Sequence, residues 1–134
     1  MDQEVMYKAQ LLQGEAQELE QHLEIVDREL EDLNRIHQSL KDFEKSNEKS
    51  SISLIGKGIH VKTNIESKDL LVEVGAGVLV KKTSLETRSV IENQIKRLNE
   101  ARLQMLNKLA MYRQALESIM QELQEEQHNH KHHN

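Results

Sequence analysis

Two long stretches of this chain repeat an apolar residue at alternating spacings of four and three, and a short segment rich in glycine and β-branched residues separates them. In the first stretch the repeated positions are Val5, Ala9, Leu12, Ala16, Leu19, Leu23, Val26, Leu30, Leu33 and Leu40, with His37 as the polar exception. In the second they are Ile91, Ile95, Leu98, Met105, Leu109, Tyr112, Leu116, Ile119 and Leu123, interrupted by Arg102. A repeat of about 3.5 residues keeps one stripe of a helix against a partner helix, so each stretch is predicted to be a coiled-coil strand.

The segment between the two stretches, residues 51–83, has the composition of β-strands. Apolar, mostly β-branched residues alternate with other types, which is typical of strands. Four of the five glycines lie here in two G-x-G units, Gly56-Lys57-Gly58 and Gly75-Ala76-Gly77, nineteen residues apart. Glycine tolerates positive φ, so each unit predicts a tight hairpin turn. A phosphate-binding loop would instead need a helix directly after the glycines, and a strand pattern follows both units.

Together these patterns predict an α+β fold, a long antiparallel coiled-coil hairpin with two central β-hairpins. Residues 1–134 would form a single domain, with helix one at 1–48, the β-hairpins at 51–83, helix two at 84–127 and a frayed His-rich tail at 128–134. Thr83 and Glu86 have the spacing of a helix-capping box. Because two small hairpins have open edges that invite pairing, we expect strands from several chains to oligomerise into a β-barrel body.

Composition argues against several classes of function. The chain has no Cys, and it contains no hydrolase, zinc-protease or phosphate-loop motif, so we expect no enzyme, no cofactor and no metal site. The histidines of the tail are metal ligands by type, but no scaffold or carboxylate pair supports them. Residues 1–50 carry 13 acidic and 6 basic side chains, which repel nucleic acid. No apolar run approaches the roughly 20 residues that span a bilayer, and we expect a cytoplasmic protein without membrane contact.

Two polar residues interrupt the apolar stripes. His37 in the first helix is expected to set the register of the helix pair. Antiparallel pairing brings Arg102 of the second helix near residues 24–31, where Glu24, Asp27 and Glu31 are available. We therefore predict an ion pair between the two helices at Arg102.

Methionine and tyrosine collect in the halves of the helices that lie far from the β segment. Antiparallel pairing brings the region of Val5, Met6 and Tyr7 close to the region of Leu116 to Leu123. Methionine is flexible and polarisable, and it suits surfaces that accept irregular apolar partners. Met6, Tyr7, Met111 and Met120 all stand off the stripe. Two interpretations stay open at this point, ordinary filling of the helix contact and a binding surface at the free helix ends.

The hairpin sequences carry a family resemblance. Residues 70–82, LLVEVGAGVLVKK, and residues 53–59, SLIGKGI, resemble the hairpin motifs of the prefoldin family, and two hairpins are typical of its archaeal α-type subunits. The resemblance covers nearly the whole chain. It departs from the family pattern before the first glycine pair, where prefoldins often have Pro and this chain has Leu54-Ile55, and within that pair, where Lys57 replaces a small residue.

The resemblance implies an ATP-independent chaperone of the holdase type. Two α-type and four β-type subunits would assemble, capture unfolded polypeptides at the coiled-coil tips and pass them to a group II chaperonin. The residues that the resemblance implies for contact with unfolded protein are Val5, Met6, Tyr7, Leu12, Leu116, Ile119, Met120 and Leu123. Those implied for the oligomer interface are Ile52, Leu54, Ile59, Val61, Leu70, Val72, Val74, Val78 and Val80.

An alternative function is a structural coiled-coil adaptor that holds one defined protein partner. Such an adaptor would bind its partner by a regular helix-in-groove contact. A holdase would instead bind many unfolded clients and no native ones. A nucleotide-using enzyme is a weaker third hypothesis, since it requires a phosphate site that the sequence lacks.

Overall fold

The computed structural model describes the backbone of residues 2–132 and the side chains of residues 3–128. The elements in chain order are α1 (Asp2–Lys45), β1 (Ser50–Gly56), β2 (Ile59–Asn64), β3 (Leu70–Gly75), β4 (Val78–Lys82) and α2 (Ser84–His132). The predicted combination of two long helices and two antiparallel hairpins is confirmed. The chain forms two compact units, a helical unit of Met1–Leu30 with Arg97–Asn134 and a hairpin unit of Glu31–Lys96.

The helical unit is held together by the predicted apolar stripes. Ala16 and Leu23 of α1 and Leu109 of α2 form a buried cluster, and Leu19, Met105 and Tyr112 pack against it. Every stripe residue on both helices is buried or half-buried. Long apolar side chains at a 3.5-residue repeat face the partner helix continuously, which explains why this one face is removed from water.

Two ion pairs cross between the helices of this unit. Arg102 Nε donates to Asp27 Oδ1 at 2.6 Å, and Arg113 Nη2 donates to Glu20 Oε1 at 2.7 Å. The predicted ion pair at Arg102 is therefore confirmed, with Asp27 as its partner. Partly exposed pairs add little stability in water. Their main effect is to fix the antiparallel register, because each Arg reaches its carboxylate only in this alignment.

In the hairpin unit the helix contact is more polar. Leu33 and Ile91 are buried, and His37 Nε2 donates to Glu92 Oε1 at 2.8 Å. Arg88 binds Glu44 at 2.8 Å, and its Nη1 also lies 3.9 Å from the Glu92 carboxylate. The polar stripe position at His37 is thus satisfied by a partner across the helix pair.

Helix α2 begins with the capping residue that the sequence predicts. The Thr83 hydroxyl accepts a hydrogen bond from the backbone N–H of Glu86 at 3.1 Å. The Thr83 carbonyl accepts the N–H of Thr87 at 3.1 Å, the first bond of the helix. A side-chain oxygen at this position satisfies one of the free donors of a helix N-terminus.

Helix α2 ends later than the sequence analysis predicts. The sequence predicts a helix over 84–127 and a frayed tail from residue 128, but the helix continues to His132. No glycine or proline occurs after residue 77, so nothing in the sequence forces the backbone to leave the helix. The part of the predicted tail at residues 133–134 lies outside the described residues, as do the side chains from residue 129.

The two hairpins are separate two-stranded sheets, β1–β2 and β3–β4. The pairs Gly56↔Ile59 and Gly75↔Val78 close two-residue turns. Both central residues of each turn have positive φ, 50° and 78° at Lys57 and Gly58, and 51° and 75° at Ala76 and Gly77. This is the backbone of a type I′ turn, whose twist matches the flanking strands. The predicted turns are confirmed, and the residue between the glycines adopts the left-handed conformation as well.

Two glycine-to-alanine substitutions distinguish the effect of backbone conformation on stability from the effect of steric space. An added Cβ meets nothing within 4 Å at either Gly14 or Gly77, but Gly77 has a φ of +75° and Gly14 lies inside α1. We expect Gly14→Ala to raise the free energy of unfolding by about 1 kcal/mol, because alanine favours the helix. We expect Gly77→Ala to weaken the β3–β4 hairpin by about 1–2 kcal/mol. Urea unfolding measures the first effect and amide hydrogen exchange of β3 and β4 the second. Equal signs for the two changes would contradict this assignment.

The contact between His37 and Glu92 predicts a pH dependence of stability. The hydrogen bond to His37 lowers the pKa of the Glu92 carboxyl below its ordinary value of 4.5, and Arg88 adds to the effect. A carboxyl whose pKa is lowered by folding stabilises the fold above its unfolded pKa and loses that contribution as the pH falls through the folded value. We expect the wild type to lose more unfolding free energy than Glu92→Gln between pH 7 and about pH 3, measured by urea unfolding. The exposed Glu100→Gln variant should behave like the wild type; a loss in Glu92→Gln as large as in the wild type would contradict the expectation.

Candidate functional site

The first candidate surface lies on the two hairpins. Of the residues implied for the oligomer interface, six are exposed: Ile52, Leu54, Ile59, Val61, Val74 and Val78. Within the hairpin unit each strand pairs on one side only, so all four strands have an edge of unbonded N–H and C=O groups. Exposed apolar side chains next to open strand edges form a template for pairing with other strands.

The other three implied interface residues are partly covered within the chain itself. Leu70, Val72 and Val80 are half-buried, and Val72 and Val80 are direct cross-strand partners. Direct partners in an antiparallel pair point to the same face, so these residues give β3–β4 one apolar face. That face is therefore partly shielded already in the lone chain.

Three further exposed apolar residues of the hairpins are not among those implied for the oligomer interface. They are Ile55, Leu71 and Leu79. Leu71 opposes Lys81, and Leu79 opposes Glu73, so both leucines lie on the face of β3–β4 opposite to Val72. The signal was available in the sequence, because β3 is almost continuously apolar rather than alternating. Such strands are typical of sheets covered on both faces.

The second candidate surface, here called the terminal patch, consists of Met6, Tyr7 and Met120. Their side chains are 51%, 64% and 56% exposed. The ion pairs at Arg102 and Arg113 fix the helices as antiparallel, so Met120 lies at the same end of the helical unit as Met6 and Tyr7. The two methionines are flexible by type, Tyr7 is aromatic, and none of the three belongs to the buried cluster.

The remaining residues implied for contact with unfolded protein belong to the helix contact. Val5, Leu12, Leu116 and Leu123 are half-buried, and Ile119 is buried. All five continue the apolar stripes that face the partner helix. Ile119 is unavailable to a ligand while the helices are paired, so it is not part of the terminal patch.

Two observations concern metal binding and membrane insertion. In the part of the chain whose side chains are described, no three His, Asp or Glu side chains lie close enough together to hold a metal ion. Neither described helix contains a stretch that is long and apolar enough to cross a membrane.

Comparison with known proteins identifies the family. The family profile described as "Prefoldin subunit" matches residues 12–129. The chain belongs to the prefoldin family. The match includes both hairpins and most of both helices, so it does not rest on the coiled coil alone.

Two curated relatives are prefoldin subunits named alpha. Prefoldin subunit alpha 2 of Thermococcus kodakarensis is 36% identical over 85 residues, which are 63% of this chain and 60% of that protein. Prefoldin subunit alpha of Pyrococcus horikoshii is 28% identical over 128 residues, which are 93% of this chain and 86% of that protein. The match to the Thermococcus protein thus spans less than two thirds of its length. These names and the two hairpins confirm the resemblance to archaeal α-type prefoldin subunits.

A solved structure shares the fold. A chain of the filamentous PFD from Methanocaldococcus jannaschii, determined by cryo-EM, aligns with a TM-score of 0.68 and 20% identity, covering 90% of this chain and 98% of that chain. At this identity the likeness concerns the prefoldin fold, with its two long helices and central hairpins.

Solvent exposure distinguishes the side chains that stabilise this prefoldin fold from those that lie on its surface. Leu109 is 4% exposed and Met111, two residues away on the same helix, is 68% exposed. We expect Leu109→Ala to cost about 2–4 kcal/mol in unfolding free energy, since it leaves a cavity in the buried cluster. Met111→Ala should change it by less than about 0.5 kcal/mol. Chemical unfolding followed by circular dichroism measures both, and comparable costs would refute the division between core and surface.

Proposed function

We propose that this chain is a subunit of an ATP-independent chaperone that holds unfolded polypeptides. It assembles with β-type prefoldin subunits through its hairpins and contacts unfolded clients at the terminal patch. The exposed side chains of Met6, Tyr7 and Met120 at one end of the helical unit carry the proposal. Membership of the prefoldin family supports it.

The open strand edges and exposed apolar side chains of the hairpins support assembly with other chains. Two-stranded sheets with open edges and exposed apolar faces are marginally stable in water. Each strand edge gains a hydrogen-bond ladder, and each apolar side chain is removed from water, when further strands join. A complex of two α-type and four β-type subunits would supply those strands and form the barrel body.

Capture of clients is supported by the chemistry of the terminal patch. Removing apolar surface from water contributes roughly 25 cal/mol per Å², and unfolded chains present such surface irregularly. Flexible methionine side chains adapt to many shapes, which suits clients that share no sequence. A single patch of three residues binds weakly, so several subunits must act on one client. Their linkage in one assembly raises the effective concentration of each further contact.

Release needs no nucleotide in this proposal. A client held by several weak contacts exchanges with any receiver that offers a larger apolar surface, and a group II chaperonin is the receiver we propose. The acidic first half of the chain keeps the helices of neighbouring subunits apart by charge repulsion. The activity belongs in the cytoplasm, where unfolded chains leave the ribosome.

The terminal patch can be tested by a triple variant, Met6→Ser, Tyr7→Ser and Met120→Ser. Assembled with a β-type subunit, it should lose at least about tenfold in its ability to suppress aggregation of a reporter enzyme diluted from guanidinium chloride, because three apolar contacts are lost. Light scattering against chaperone concentration gives the measurement. Native mass spectrometry checks that the assembly is intact.

A matched control is available in the same unit. Ile25, Leu103 and Met111 are similarly exposed but belong to other stretches of the helices, and their triple serine variant should suppress aggregation like the wild type. Equal losses in both variants would show that capture is not confined to the terminal patch. A wild-type assembly that ignores unfolded reporters but binds one native protein would favour the adaptor function instead.

A further inference from the structure

The loop that joins the two hairpins makes contacts that neither candidate surface explains. Lys68 lies in this loop, between β2 and β3. Its Nζ donates to the Phe43 carbonyl at 2.5 Å and to the Ser46 carbonyl at 2.7 Å. The same Nζ lies 4.4 Å from the centroid of the Phe43 ring. One loop side chain thus reaches the last turn of α1 with two hydrogen bonds and a cation–π contact.

The end of α1 has a physical need for such a partner. The last four carbonyls of a helix have no donor within the helix, and a glycine after the helix commonly lets the backbone supply one. Here α1 ends at Lys45, Ser46-Asn47-Glu48 follows, and the next glycine is Gly56. The Ser46 N–H donates to the backbone carbonyl of Asp42 at 3.0 Å. Lys68 Nζ donates to the next carbonyl, that of Phe43. The negative end of the helix dipole also favours the ammonium group at this position.

Bonds on both sides of Lys68 tie the loop to the hairpins. Before it, the Ile65 N–H donates to the carbonyl of Lys49, next to the start of β1, at 2.5 Å. After it, the Asp69 N–H donates to Ser67 Oγ at 2.9 Å, and the Asp69 carboxylate binds Lys81 of β4 at 3.2 Å. The loop is therefore connected to the end of α1, to the first hairpin and to the second.

We propose that Lys68 is a positioning residue for assembly, a claim that rests on the proposed function. The chain leaves α1, makes the first hairpin, returns to the end of α1 at Lys68 and only then begins the second hairpin. By holding that return point, Lys68 fixes where β3 starts relative to β1, and both hairpins meet their partner strands in one arrangement. A chain with a single hairpin between its helices has no return point to hold, so this requirement belongs to the two-hairpin type of subunit.

The test compares three full-length variants in binding to a β-type prefoldin subunit. Lys68→Met keeps the long side chain but loses the donors, and Lys68→Arg keeps donors and charge. The control Lys96→Met removes an exposed lysine of the hairpin unit. Native mass spectrometry across a dilution series gives the assembly midpoint. Hydrogen exchange at the amides of Ile65 and Asp69 reports on the loop in the unassembled chain.

We expect Lys68→Met to need about tenfold more subunit for half-assembly, the scale of a lost hydrogen bond to a charged group, and to exchange the Ile65 and Asp69 amides faster. Lys68→Arg and Lys96→Met should assemble like the wild type, and helix content should be the same in all. Assembly of Lys68→Met at the wild-type midpoint would overturn the proposal. If the wild type itself does not assemble, the proposed function fails and the positioning role with it; unchanged loop exchange in Lys68→Met would separately refute the contact to α1.

Discussion

Burial of one apolar stripe along each helix is the interaction on which the rest of the protein depends. The buried apolar residues of the described chain are Ala16, Leu23, Leu30, Leu33, Ile91, Leu109 and Ile119, and all of them belong to the stripes. None of the described side chains reaches complete burial. The core is therefore a single layer between two helices. Helices of this length are held mainly by such tertiary contact, since propensity alone is a weak determinant.

A core of one layer has a direct consequence for function. It has no second layer in which to place further apolar residues, so those that fall off the stripe stay in water. This is the common origin of the terminal patch and of the exposed hairpin faces. In a larger globular protein Met120 or Leu79 would belong to the interior. Here they stay exposed, which is the condition that the proposed contacts with other chains require.

Polar contacts set the alignment that the apolar stripes leave open. A regular seven-residue repeat tolerates a shift by one repeat at little cost, so specific pairs must choose one register. The pairs at Arg102 and Arg113 do so in the helical unit, and His37 with Glu92 does so in the hairpin unit. Lys68 has the corresponding role for the loop between the hairpins, where no apolar stripe exists.

The sequence by itself determined the helices, the two hairpins and the turns, because each depends on local spacing or on a repeat that continues over many residues. It predicted an ion pair at Arg102, but only the structure identified Asp27 as the partner. It also indicated the terminal patch through off-stripe methionines. The end of α2 at His132 required the structure. So did Lys68, whose acceptors at Phe43 and Ser46 lie more than twenty residues away in the chain. A contact made by one long flexible side chain leaves no periodic signal in the sequence. Only the folded backbone brings Lys68 close to the end of α1.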